Sequence, residues 1–179
     1  MISGRVWKFG DNINTDLILP GHVMFLPDAE RQKYLFQANR PEWIKQVRDG
    51  DIIIAGRSFG MGSSRPAALA LRNVGVACVI AESLGRLFFR NAVNFGLLAL
   101  ECPGVHAAFE EGQHASINTD DFSIRNDANC TSMKAKAVPQ SLLKLTLAGG
   151  IFPMLERDGL IASAAAPTAK QLIDAHKNL

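Results

Sequence analysis

Asp51-Ile-Ile-Ile-Ala-Gly56, followed by Arg57-Ser-Phe-Gly60-Met-Gly-Ser-Ser-Arg65 and then Pro66-Ala-Ala-Leu-Ala-Leu-Arg72, decides how this chain folds. A short apolar run bounded by Asp and Gly reads as a buried strand, and the Ala/Leu-rich run after Pro66 reads as a helix that opens at once. Between them, Gly60 and Gly62 let the backbone approach a ligand, and two hydroxyls and a guanidinium follow. A loop placed there meets the N–H groups and the positive end of the next helix, so residues 60–65 read as a carboxylate-binding loop.

The same alternation extends outward. Residues 4–9, 51–55, 76–81 and 97–101 read as strands, and residues 64–74 and 84–95 have helical length and spacing, with Leu87, Phe88, Asn91 and Phe95 on one side. Strand, helix, strand, helix, strand predicts an α/β fold with right-handed parallel crossovers. Residues 11–21 read as a loop and residues 28–47 as helical with a break at Pro41. Beyond Pro103, residues 115–125 and 131–138 read as two exposed strands, and residues 140–157 as a helix weakened by Gly149-Gly150 and Pro153. The expected organisation is one domain over residues 1–179, with a core from about 4 to 160 and a tail from 161 to 179 that carries a short helix or frays.

Composition bounds the function. Of 179 residues, 47% are apolar and 20% charged, with a net charge of +2, which gives no footprint for nucleic acid or an anionic membrane. The N-terminus has no apolar core of a signal peptide, and no window nears the roughly 20 apolar residues of a membrane span, so the expected location is cytoplasmic. Cys78, Cys102 and Cys130 stand far apart, without C-x-x-C or nearby histidines, so no metal site is expected from this chain.

Duller readings of the loop compete. Ser63 or Ser64 as a helix N-cap, with Pro66 in the first turn, accounts for the hydroxyls without chemistry. A phosphate loop lacks its lysine, and a dinucleotide fingerprint lacks its third glycine. Gly56-Arg-Ser58-Phe-Gly60 matches the G-x-S-x-G nucleophile elbow, yet Gly60 and Gly62 prolong the loop where a helix should start, and the base would have to be His106 or His114.

Several motifs in order carry a resemblance: residues 4–16 (Gly-Arg-Val-Trp-Lys-Phe-Gly-Asp-Asn-Ile-Asn-Thr-Asp), Ile18-Leu-Pro-Gly21, residues 50–56, Phe59-Gly-Met-Gly-Ser-Ser-Arg65, and residues 86–103. Over nearly all of residues 4–160 the chain resembles the 3-isopropylmalate dehydratase small-subunit family, the free-standing equivalent of the swivelling fourth domain of aconitase. The resemblance implies a single β/β/α swivelling domain. It also implies a hydro-lyase that dehydrates and rehydrates a hydroxy-dicarboxylate, 3-isopropylmalate in leucine biosynthesis first among them. Homoaconitate, citraconate or dimethylmalate types are the alternative, as is a non-catalytic module that only binds a partner. A [4Fe-4S] cluster is implied in a large-subunit partner, with none bound by this chain.

Carried over by position, the resemblance makes Ser64 the base that removes the proton α to a carboxylate and Arg65 the clamp on a substrate carboxylate. Ser63 and Gly62 add contacts, and Asp16 orients. His22, Val23, Met24, Phe25 and Leu26 stand in the region that reads the substrate's variable substituent, where their apolar character suits an alkyl group. Packing of Val23, Phe25 and Leu26 into the core is the competing reading, and Arg31 stands near enough in sequence to approach a carboxylate. The chain departs from the family pattern at Pro66-Ala67, where Glu-His is usual, and at Met61, Asn14 and His22.

Overall fold

The computed structural model describes residues 1–63 and 65–162. The deciding run is a strand buried on both faces, as an inner parallel strand must be. Four strands, β1 (Ile2–Phe9), β2 (Ile52–Ala55), β3 (Cys78–Ala81) and β4 (Leu98–Glu101), pair in parallel in the spatial order β4-β3-β2-β1. The first crossover holds three short helices, α1 (Thr15–Ile18), α2 (Asp28–Arg31) and α3 (Trp43–Gln46). The next two hold α4 (Ala67–Asn73) and α5 (Arg86–Phe95). After α6 (Val105–Ala108) come β5 (His114–Ile117), β6 (Ser123–Asn126) and β7 (Ser132–Lys134). They extend the same sheet antiparallel from β1 to give seven strands among the described residues. α7 (Gln140–Leu147) and α8 (Ile151–Arg157) return to pack on α5.

β1 joins the two halves. Residues 2–5 pair antiparallel with β5, and residues 6–9 pair parallel with β2. Gly4 sits where β1 passes Gly50 so closely that a Cβ would lie 2.0 Å from the Gly50 carbonyl oxygen.

Strand alternation divides the core into two layers. Trp7, Phe9, Ile53 and Val79 face Phe36, Trp43, Leu71 and Phe88, whereas Ile52, Ile54, Cys78, Ile80 and Leu100 face Val105, Phe109, Ile117 and Ile124. Phe9, Phe36 and Trp43 stack with ring centroids 4.2 and 4.8 Å apart, pairs that add about 0.5–1.5 kcal/mol each beyond their buried area. Buried Asp51 ties this layer to the strand ends, accepting from Arg5 Nη2 (2.6 Å), Trp7 Nε1 (2.7 Å) and the Arg48 N–H (2.9 Å). Burial pushes the Asp51 carboxyl upward, but these donors outweigh it and leave the group below the ordinary carboxylate range.

The structure corrects several expectations. Residues 28–47 are not one helix: α2 runs into a 3-10 turn and α3 stands apart, with the aromatic anchors Phe36, in the turn between them, and Trp43, at the start of α3, both buried in the core. Residues 11–21 contain α1, capped by Asn14 Oδ1 accepting from the Leu17 N–H (2.9 Å). Residues 115–125 form two strands joined by a turn, and Ala115, Ile117 and Ile124 are buried rather than exposed. Of residues 131–138 only β7 is strand. Residues 140–157 divide at Gly149-Gly150 into α7 and α8. The expected tail helix lies, from residue 163 onward, outside the described residues.

Candidate active site

The loop after β2 leaves the carboxyl edge of the sheet and is threaded between the segment after β1 and the start of α5. Gly56 must be glycine, because a Cβ there would meet Asp11 Oδ1 at 2.0 Å, and Asp11 accepts the Arg57 N–H (2.7 Å) to close the turn. The Gly60 N–H donates to the Ile13 carbonyl (2.7 Å), and the Thr15 N–H donates to the Met61 carbonyl (2.9 Å). Gly62 has φ +116°, and a Cβ on it would lie 2.8 Å from Thr15 Oγ1. From the other side, Gly85 packs against the Gly60–Met61 peptide, and Asn91 Nδ2 on α5 donates to the Arg65 carbonyl (3.3 Å). Two neighbouring elements therefore hold the loop by its backbone and leave Met61, Gly62 and Ser63 exposed.

Arg65 is the charged centre of this edge. Its Nη1 donates to Asp16 Oδ1 and to the Leu19 carbonyl (3.2 Å). Nε and Nη2 have no partner among the described residues. The guanidinium lies against Gly21, where a Cβ would stand 3.0 Å from Nη2. One terminal nitrogen is thus fixed to the protein, and the Nε/Nη2 edge, the geometry that grips a carboxylate with two parallel bonds, carries no hydrogen bond among the described residues. Asp16 projects from the first turn of α1 and is exposed, so it holds Arg65 from the solvent side.

Ser63 brings its Oγ to 3.5 Å from Thr15 Oγ1. Ser64 lies outside the described residues, bracketed by Ser63 and Arg65. The helix expected over residues 64–74 is shorter: α4 begins at Ala67, with Pro66 at the N-cap and no side-chain cap. Proline supplies the fixed φ of a first turn, and Ala67 and Ala68, the first helical residues, are fully buried.

The five residues expected to read the substrate's variable substituent are not placed alike. Val23 is in the core, Met24 and Leu26 pack partly against it, His22 lies edge-on to Tyr34 at 6.0 Å, and Phe25 is 95% exposed. The loop adjoins Arg65 through Leu19 and Gly21. Arg31 does not reach toward that site: its Nη2 bonds the Leu26 carbonyl (2.9 Å) and Asp28 (3.0 Å), so it pins the end of the loop.

Ser58 has the positive φ (+61°) of a nucleophile elbow, but its N–H donates to Ser83 Oγ (2.9 Å), no helix follows until Ala67, and no histidine bonds it among the described residues. Cys78 and Cys102 are buried in the same core layer and Cys130 is exposed. Among the described residues no three His, Cys, Asp or Glu gather as a metal site. No described helix is long and apolar enough to cross a membrane.

Sequence reasoning named the loop, Arg65 and Asp16, which the fold does bring together. It passed over Thr15 and Asn91, whose contacts depend on crossovers from elsewhere in the chain. Thr15 stood inside the quoted Asn-Thr-Asp run, but its burial and its approach to Gly62 appear only in the fold.

The Aconitase C-terminal domain family matches residues 11–104. The 3-isopropylmalate dehydratase small subunit 1 of Methanopyrus kandleri is 42% identical over 161 residues, 89% of this chain and 95% of that protein. The isopropylmalate/citramalate isomerase small subunit of Methanocaldococcus jannaschii is 39% identical over 159 residues, 88% of this chain and 95% of that one. A crystal structure of 3-isopropylmalate dehydratase from Methanocaldococcus jannaschii superposes with a TM-score of 0.82 at 32% identity, covering 91% of this chain and 98% of that chain. With identity and fold agreeing across almost the full length of these relatives, this chain belongs to the 3-isopropylmalate dehydratase small-subunit family, built on the aconitase C-terminal domain.

Proposed function

We propose that this chain is a single-domain small subunit of a two-part hydro-lyase that moves the hydroxyl of an alkyl-substituted malate by dehydration and rehydration, with 3-isopropylmalate as the substrate and citramalate-type acids as its nearest competitors. The observation that carries the reading is the open Nε/Nη2 edge of Arg65, held in place by Asp16 and Leu19 at the end of a glycine loop that two other elements clamp. In this reading Arg65 binds a substrate carboxylate side-on, and Ser64 removes the proton on the adjacent carbon as the hydroxyl leaves its neighbour; on rehydration Ser64 delivers the proton to the carbon that lost the hydroxyl, and water adds to the carbon that lost the proton. A serine acts as a base only where its alkoxide is strongly stabilised, and the neighbouring guanidinium contributes to that. His22 and Phe25, the two members of the recognition loop whose side chains are exposed, meet the substrate's alkyl group.

Departure of the hydroxyl needs a Lewis acid, and the separated cysteines of this chain do not fit an iron–sulfur cluster. The cluster belongs to the large subunit. Ser64→Ala tests the assignment: with the large subunit added, the complex assembles as wild type and turnover falls by at least about 1,000-fold, in line with loss of a group acting directly on the reacting proton. Near-normal turnover of that complex removes Ser64 as the base.

A further inference from the structure

Beside the candidate loop, at the carboxyl ends of β3 and β4, lies a cleft of about 410 Å³ that no step above uses. Its apolar wall comes from Leu84, Phe89, Ala99 and Val138. Its one carboxylate is already neutralised: Glu101 pairs with Lys136 (2.7 Å) and accepts the Leu84 N–H (2.8 Å). Arg86 and Arg90, one turn apart on α5, also line it. Both are exposed, and neither has a hydrogen bond or ion pair among the described residues.

The patch continues toward the loop. Gly85 packs on the Gly60–Met61 peptide, so Leu87 follows directly beside the loop, and Met61 and Leu87 are 46% and 43% exposed. Two large apolar side chains, two unpaired guanidiniums and an apolar cleft thus share one face with the exposed Met61, Gly62 and Ser63. A small anion would fill the cleft and leave Met61 and Leu87 wet, whereas a protein covers all of them.

We propose that this face of α5 is where the large subunit docks, and that the cleft receives an apolar side chain of the partner flanked by carboxylates that pair with Arg86 and Arg90. The proposal rests on the two-subunit reading, because a partner that brings a Lewis acid to Ser64 and Arg65 must cover the same edge. Guanidiniums suit the task, since they are weakly hydrated and pair with carboxylates through two bonds.

Binding of the full chain to a large subunit of the same dehydratase family that restores turnover, measured over a range of salt concentrations, tests this. Arg86→Ala combined with Arg90→Ala weakens binding roughly 100-fold at low salt and flattens its salt dependence, while the thermal melt and turnover at saturating partner stay as wild type. Leu87→Asp, which removes the apolar part of the same face, weakens it comparably. Variants that bind within about twofold of wild type overturn the docking surface and leave the catalytic reading intact. Ser64→Ala that binds normally and still turns over does the reverse. A small carboxylate that saturates the cleft without affecting heteromer formation, or a self-dimer lost in the variants while the heteromer persists, also overturns the proposal.

Discussion

Arg65 separates its duties between its two ends, and that division is testable. Nη1 is bound to Asp16 and Leu19, so a lysine at this position keeps the ion pair and the positive charge but loses the Nε/Nη2 fork. Arg65→Lys is expected to lower kcat/KM by about 10- to 100-fold with assembly unchanged, because a point charge cannot reproduce two parallel bonds. Unchanged kinetics would show that the open edge faces nothing. Gly62 is the second sensitive position. At φ +116° with Thr15 Oγ1 only 2.8 Å from a built Cβ, Gly62→Ala must displace the loop, although it lies on the surface where little packing is at stake. Displacements near 1 Å cost about 100-fold in rate, so activity should fall by that order while the melting temperature hardly moves. Arg65 and Gly62 were both legible in the sequence, because the loop motif is local. Thr15 and Asn91 were not, since nothing local to either says that it will reach a loop about 50 or 25 residues away.

At the scale of elements, the parallel strands were read correctly because each is a short apolar run punctuated by Gly, Pro or an acidic residue. The helices of the first crossover were misread because Phe36 and Trp43 set its path by burial rather than by periodicity. Gly149-Gly150 reads in sequence as a weakness and proves to be a junction. Gly150 has φ +101°, and a Cβ on it would lie 2.2 Å from the Asn94 carbonyl at the end of α5. Gly150→Ala should destabilise the fold by about 1–3 kcal/mol from backbone strain alone, with the clash added, as measured by chemical denaturation. Asp51 performs the corresponding task for β1 and β2. Removing its charge leaves Arg5, which is partly exposed, with the Gln46 carbonyl as its remaining acceptor, so Asp51→Asn should cost about 1–3 kcal/mol. Because its folded-state pKa lies below the unfolded value, its contribution is complete above about pH 4 and is lost as the pH falls through the folded pKa. Denaturation between pH 7 and pH 3 should therefore show a steeper acid loss in wild type than in the Asn variant, and parallel curves would refute the role.

Across the whole molecule, what the sequence could not display is that the parallel and antiparallel halves form one sheet. That depends on β1 pairing with β2 through residues 6–9 and with β5 through residues 2–5, the second of these a register between segments about 110 residues apart. The consequence is an edge on which the loops after β1, β2 and β3 converge while the antiparallel strands extend away from it, so a partner can cover the loops without disturbing the rest. The isolated chain should accordingly show no hydro-lyase turnover and bind no stoichiometric iron. Burial drives the Cys78 thiol far above its ordinary range and raises that of Cys102, which opposes the thiolates a cluster needs and leaves only Cys130 exposed. On the proposed reading the loop contributes a base and a carboxylate clamp, and without an activator for the leaving hydroxyl its departure at neutral pH is slow. Metal analysis and an isopropylmalate assay on the chain alone, repeated after titration with the large subunit, decide it. Turnover should appear only with the partner and track the fraction of chain bound, and iron or activity in the isolated chain would overturn the division of labour between the two subunits.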